Sequence, residues 1–237
     1  MEKNQPYPLD ELRRMITRLE IYRQSGDARR ISSGMEPVDR LLGGGFSPGS
    51  LVEWFDPCEG AAAATLALAA ARNACADGGA LVVFDRRGEF YPVEAVRWGI
   101  DPRRLIVVQA TARKDIAWAA CEVLRSPAVG AMLAWAGRID GRDFRRMQLA
   151  AEQGGGLGLL IRPEKTRGDP SWAEVRLTAE PLSSDGQRRR LRVRLLRARG
   201  VGGEHTVDVE IDEQTCRLYS VAQLARPAAL ARAARAS

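Results

Sequence analysis

The chain has 237 residues, of which 45% are hydrophobic, and it carries 36 basic and 30 acidic side chains. This size suits one domain with a substantial core and is too small for two large domains. No run of about 18 residues is both apolar and uncharged, and no apolar signal segment opens the chain, so we expect a cytoplasmic protein without membrane contact. The net charge of +6 alone is weak grounds for nucleic-acid binding.

The cysteine and histidine content excludes several catalytic classes. Cys58, Cys75, Cys121 and Cys216 are too far apart in the sequence for a redox pair or for a set of zinc ligands. The single histidine, His205, excludes histidine-rich metal chemistry, and a lone histidine is more often a strand or loop residue than the base of a Ser-His-Asp triad. We therefore predict reduced thiols, mostly buried, and neither a metal nor a cofactor.

An amphipathic helix is predicted near the amino terminus. Leu9, Leu12, Ile16 and Leu19 recur at helical spacing, and the segment 25–27 ends the pattern. This apolar stripe either packs on its own domain or docks on a partner, and the partner would be a second copy or another protein. We divide the chain into a helical arm 1–28, a core domain 29–225 and a flexible tail 226–237.

Short apolar runs alternate with helical patterns through the first two thirds of the core. This alternation requires crossover connections, so it predicts an α/β fold with a mostly parallel central sheet, followed by carboxyl-terminal antiparallel strands. The parallel strands are predicted at 51–55, 80–84, 105–109, 129–135 and 157–161, the helices at 61–76, 91–98, 114–124 and 140–153, and the antiparallel strands at 174–180, 188–199, 205–212 and 216–221.

The strand 188–199 is rich in arginine, but its alternation predicts ion pairs. With a three-residue loop at 200–202, Arg194 would lie opposite Asp208, and the two preceding arginines on that face would lie opposite Glu210 and Asp212. Such exposed pairs contribute about 0 to 1 kcal/mol each. The basic residues outside this ladder are predicted to give weak DNA affinity without sequence preference. They are Lys165, Arg167, Arg188, Arg189, Arg197 and Arg199.

A long glycine-rich segment precedes the first parallel strand. It reads ISSGMEPVDRLLGGGF from Ile31 and continues as PGSLVE from Pro48. Its length and order resemble the entrance to the ATPase core of the RecA recombinase superfamily. The resemblance implies a RecA-like core of the P-loop NTPase type, with a phosphate-binding loop following the strand.

The residues that would perform ATP hydrolysis are missing. The segment 55–68 reads FDPCEGAAAATLAL and contains no lysine. Arg87 and Trp135 occupy the positions where the resemblance implies a general-base glutamate and a magnesium-binding aspartate. These losses predict a degenerate nucleotide site and no enzymatic activity. Its remaining positions are Asp56, Pro57, Gly60, Thr65, Arg87 and Trp135.

A RecA-like frame with these losses resembles the ImuA family of mutasome accessory proteins. The resemblance extends over about residues 9–225 and includes the segments 41–54, 133–135, 190–200 and 219–224. It implies a non-catalytic accessory protein of the DNA-damage response that supports error-prone translesion synthesis. The implied partners are an ImuB-type Y-family polymerase homologue and RecA, with self-association through the amino-terminal helix as a further possibility.

Two other functions stay open at the sequence level. A cell-division inhibitor resembling SulA would also have a RecA-derived fold without a phosphate loop, although such chains are usually shorter and would not require the basic strand or the arm. A divergent RecA-fold ATPase is harder to reconcile with Arg87 and Trp135. Adjacent polymerase genes would favour the mutasome over the inhibitor, and a nucleotide titration would decide whether the chain is an ATPase.

Overall fold

The structure is a computed structural model that describes residues 30–57, 62–109, 113–184, 188–203 and 205–220. The predicted arm, with Leu9, Leu12, Ile16 and Leu19, and the predicted tail lie outside the described residues. Within them, the helices are α1 (Glu36–Leu41), α2 (Ala62–Ala74), α3 (Pro92–Arg97), α4 (Arg113–Arg125) and α5 (Gly141–Gly154), with 3-10 turns at Pro102–Arg104 and Glu164–Thr166. Of these helices, α1 was not predicted from the sequence.

The described strands form one nine-stranded sheet in the order β3-β2-β4-β5-β1-β6-β7-β8-β9. The six strands from β3 to β6 run parallel, and β6 to β9 are antiparallel neighbours. The strands are β1 (Leu51–Asp56), β2 (Ala80–Phe84), β3 (Leu105–Val108), β4 (Val129–Trp135), β5 (Leu157–Pro163), β6 (Val175–Leu182), β7 (Arg189–Ala198), β8 (His205–Asp212) and β9 (Arg217–Ser220).

The prediction that the antiparallel part begins at residue 174 is wrong by one strand. β6 pairs in parallel with β1, with Val52 opposite Val175. The segment between β5 and β6 is a crossover that returns the chain to the amino ends of the strands. A short connection that reverses the chain gives antiparallel neighbours, and the first one in this sheet joins β6 to β7.

The helices cover the parallel strands on both faces, and each face has its own core. α2 and α3 pack with Val52 and Trp54 on one face. α5 packs with Leu51 and Met132 on the other. Because successive side chains of a strand point to opposite faces, β1 is buried on both sides. The predicted doubly covered sheet is confirmed.

The pairing of β7 with β8 differs by two residues from the prediction. Arg192 lies opposite Asp208, and Arg190 opposite Glu210. The chain reverses at residues 199–200, where Ala198 bridges Val201 and Gly200 has a φ of 81°, instead of at 200–202. Three positions separate Leu195 from Ala198 but four separate Val201 from His205, so one extra residue before β8 sets the net shift at two. A shift of two residues preserves which face each side chain occupies, so the arginines still meet carboxylates.

No helix among the described residues has the length and apolar character that a bilayer span requires.

Candidate functional site

The glycine-rich entrance folds around the Asp39 carboxylate at the amino edge of the sheet. This group accepts hydrogen bonds from the Ser32 hydroxyl at 2.6 Å and from the Ser33 amide at 2.7 Å. Gly45 has a φ of 124°, and a Cβ there would lie 2.3 Å from the Ile31 carbonyl oxygen, so only glycine fits. These contacts hold the chain just before it enters β1.

The candidate nucleotide site lies at the opposite, carboxyl edge of the sheet, where β1 ends. Asp56 is half-buried and Pro57 is exposed, while Gly60 lies outside the described residues. Thr65 is the fourth residue of α2, and its hydroxyl accepts a hydrogen bond from Arg189 Nη2 at 3.2 Å. The Thr65 hydroxyl, which is the hydroxyl of α2 closest to the predicted phosphate-binding loop, is therefore already bonded to an arginine of β7.

The carboxylate of Asp85, at the end of β2, is hydrogen-bonded to the backbone of the loop that follows it. Asp85 Oδ1 accepts hydrogen bonds from the amides of Arg87, Gly88 and Glu89 at 2.9 to 3.2 Å, and Oδ2 accepts one from Phe90 at 2.9 Å. Burial opposes ionisation of this carboxyl, but the four amides outweigh it and lower the pKa of Asp85 below its ordinary value. A carboxylate held in this way is poorly suited to serve as a general base.

Two further positions of the predicted nucleotide site carry no acid that could bind magnesium or activate water. The Arg87 side chain is exposed and lies 3.8 Å from the Glu89 carboxylate, which is exposed as well. Trp135, at the end of β4, is 42% exposed and packs against Phe90 with ring centroids 6.1 Å apart. An aromatic pair therefore occupies the carboxyl edge between β2 and β4.

The six basic residues predicted to contact DNA do not form one surface. Lys165, Arg167, Arg188 and Arg189 lie towards the carboxyl edge, whereas Arg197 and Arg199 lie at the amino edge. The length of the strand that separates Arg188 from Arg199 is roughly 35 Å at about 3.3 Å per residue.

Four of these six basic residues have partners in the structure. Arg188 lies 3.6 Å from Glu210, and Arg189 lies 3.5 Å from Glu213. Arg167 pairs with Glu164 at 3.2 Å, and Arg197 donates to the Ala173 carbonyl at 2.6 Å. The sequence-based pairing considered only side chains directly opposite each other in the hairpin. It therefore missed the diagonal contact of Arg188 with Glu210 and the contacts of the other three with residues outside the two strands. Within the described residues, Lys165 and Arg199 keep no such partner.

A buried ionic network was not predicted from the sequence. Glu53 in β1 and Arg162 in β5 are both fully buried and form a salt bridge. Glu53 also accepts hydrogen bonds from Ser171 and from Arg176 of β6, each at 2.7 Å. Arg162 reaches Asp169 at 3.1 Å. A glutamate inside a strand as apolar as LVEWF is the one sequence signal that could have indicated the network.

Among the described residues, no three side chains of the His, Cys, Asp and Glu types converge in a way that could hold a metal ion. Cys121 and Cys216 are buried, and burial raises the pKa of both thiols. Burial likewise raises the pKa of Cys75 to about 11. These thiols are therefore protonated at neutral pH and are weak nucleophiles.

Comparisons with known proteins give the fold and no closer relationship. No protein-family model matches the chain, and no curated protein matches it. Among solved structures, a crystal structure of the RadB recombinase matches with a TM-score of 0.63 and 19% sequence identity, over 81% of this chain and 100% of that one. The chain therefore has a RecA-like α/β core, as the entrance segment predicted.

Proposed function

We propose that this chain is a non-catalytic accessory protein of the DNA-damage response built on a RecA-like core. In this role it supports error-prone translesion synthesis through contacts with an ImuB-type Y-family polymerase homologue and with RecA. These partners are the ones implied by the sequence resemblance to the ImuA family. The nucleotide site is a vestige, and the frame around it serves as a scaffold.

The single observation that carries the proposal is the chemistry at the carboxyl edge of the sheet. Asp85 is bonded to four backbone amides, Arg87 is exposed beside Glu89, and Trp135 packs on Phe90. Hydrolysis of ATP needs a cation on the terminal phosphates, a magnesium ligand and a group that orients water. At the ends of β2 and β4, the Asp85 carboxylate is already bonded to backbone amides and Trp135 carries no acid, so neither position offers a free group for the last two.

Calorimetric titration with ATP and magnesium tests the loss of nucleotide binding. We expect no binding tighter than about millimolar, because the residues that would neutralise the triphosphate are replaced. An ATP-hydrolysing RecA-fold protein titrated alongside is the positive control. Micromolar affinity, or hydrolysis that Thr65→Ala abolishes, would contradict the proposal and favour a divergent ATPase.

Affinity purification from DNA-damaged cells tests the accessory role. We expect the intact chain to retain the polymerase homologue and RecA. The same bait without residues 1–28 should lose at least one of them, whereas recovery of a cell-division protein alone would favour the SulA-like alternative.

A further inference from the structure

A polar cleft of about 680 Å³ lies at the amino edge of the sheet, on the opposite side from the vestigial nucleotide site. It lies between the entrance to β1, the start of β6 and the turn that follows β7. Arg30, Arg197 and Arg199 line it together with Trp172. The volume is within the range of sites that hold a nucleotide-sized ligand.

The Trp172 ring provides a flat surface at this cleft. The residue is 47% exposed. The Arg145 guanidinium lies 4.6 Å from the ring centroid, so a cation already stacks on the indole. An exposed aromatic ring beside arginines is the combination on which unpaired bases stack while their phosphates meet cations.

The charges around the cleft favour an anion. The basic groups are those of Arg30, Arg145, Arg197 and Arg199, and the acidic ones are Glu152 and Glu174. Ser47 joins two of these groups, because it accepts a hydrogen bond from Arg30 at 2.8 Å and donates one to Glu174. Arg199 is exposed and makes no ion pair or hydrogen bond within the described residues, so its guanidinium is free to bind a phosphate.

We propose that this amino-edge cleft binds single-stranded nucleic acid, with a base stacked on Trp172 and a neighbouring phosphate on Arg199. A duplex keeps its bases stacked inside and cannot present one to the indole without local opening, so the cleft selects a single strand. An acidic peptide could meet the arginines but has no flat base to cover Trp172. This cleft shares no residues with the predicted nucleotide site, which lies at the other edge of the sheet.

Fluorescence anisotropy with a labelled oligothymidylate of about 15 nucleotides tests the proposal on the full chain at low ionic strength. We expect measurable binding that falls steeply with salt, and quenching of tryptophan fluorescence. Trp172→Ala should weaken binding about tenfold. Arg199→Ala should weaken it and reduce the slope of log affinity against log salt by about 0.7. Glu152→Gln, which removes a carboxylate from the cleft, should tighten binding.

Matched variants elsewhere on the surface separate this site from general attraction. Trp118→Ala removes another exposed tryptophan, which lies on α4, and Arg86→Ala removes an exposed arginine at the carboxyl edge, next to the end of β2. Both should bind the oligonucleotide as the wild type does, and unchanged thermal unfolding should establish that all variants are folded. A duplex of the same length should compete poorly.

Three results would overturn the proposal. If Arg86→Ala weakens binding and Trp172→Ala does not, the nucleic acid binds at the carboxyl edge. If polyglutamate binds with Trp172 dependence and the oligonucleotide does not, the cleft is a peptide site. If the wild type binds no oligonucleotide even at low ionic strength, the cleft is not a nucleic-acid site. None of these results depends on whether ATP binds or polymerase partners are retained.

Discussion

Asp85 shows how an acidic residue at the carboxyl edge of the sheet can have a structural role. It follows a buried strand at the edge where a RecA-like fold would bind a nucleotide, and it is itself buried. Its two oxygens accept four backbone hydrogen bonds, which fix the loop that carries Arg87 and Phe90. The loop in turn sets the position of the aromatic pair with Trp135.

We predict that Asp85→Ala lowers the free energy of unfolding by about 1–3 kcal/mol, because the loop amides lose their acceptor. The pKa of Asp85 is lowered in the folded protein, so the ionised carboxylate stabilises the fold above its ordinary pKa of 3.8. That contribution disappears as the pH falls through the lowered folded-state pKa. Urea unfolding of the wild type and Asp85→Asn between about pH 6 and pH 2 measures it. Parallel stability profiles for the two proteins would contradict the assignment.

The hairpin of β7 and β8 shows how ion pairs are set at the scale of the element. Arg192 forms a two-point contact with Asp208, with distances of 2.8 and 2.9 Å, and this contact lowers the pKa of the aspartate. Alternation alone predicts that arginines face carboxylates. The turn and the residues that follow it set which carboxylate each arginine meets, and here the two-residue turn together with one extra residue before β8 shifted the pairing by two positions.

The amino-terminal helix and its role in docking on another protein remain predictions. We expect Ile16→Asp to weaken association with a second copy or with RecA, because the stripe of Leu9, Leu12 and Leu19 would lose a central apolar contact. Analytical ultracentrifugation and a RecA pull-down measure the effect, with Arg13→Asp on the polar side of the helix as the control. A large fall in the melting temperature with association intact would mean that the helix packs on its own core.

At the scale of the whole molecule, the Glu53 network links three neighbouring parallel strands. Glu53 lies on β1, Arg162 on β5 and Arg176 on β6, and the antiparallel strands extend from β6. Ser171 and Asp169 attach the crossover segment to the same group of charges. Every ion in this network has an opposite charge beside it, which is the condition under which charges can be buried.

We predict that Glu53→Gln lowers the free energy of unfolding by about 3–5 kcal/mol, because it leaves the buried Arg162 without its main counter-charge. Urea unfolding should show a lower midpoint with an unchanged m-value. The matched control is Glu36→Gln, which breaks an exposed pair with Arg40 at 2.8 Å and should cost less than about 1 kcal/mol. A loss of similar size in both variants would show that the network contributes no more than a surface pair.

The sequence by itself determined the order and type of most elements. The period of apolar residues distinguishes helix from buried strand, and the alternation of the two forces crossovers and therefore a parallel sheet. It also determined that the segment 55–68, where the resemblance predicts a phosphate-binding loop, contains no lysine, because a missing residue is missing in any fold. The alternation in β7 and β8 determined that arginines and carboxylates share a face.

Only the tertiary structure decided what depends on residues far apart in the chain. The parallel direction of β6 depends on the crossover after β5, which returns the chain to the amino edge of the sheet. The register between β7 and β8 depends on the geometry of the turn that joins them. The partners of Arg189 and Arg197 lie on other elements, so pairing across one hairpin could not find them. The cleft exists because Arg30, Trp172 and Arg199 converge at one edge of the sheet. Local patterns record what each segment can form, whereas packing decides which segments meet.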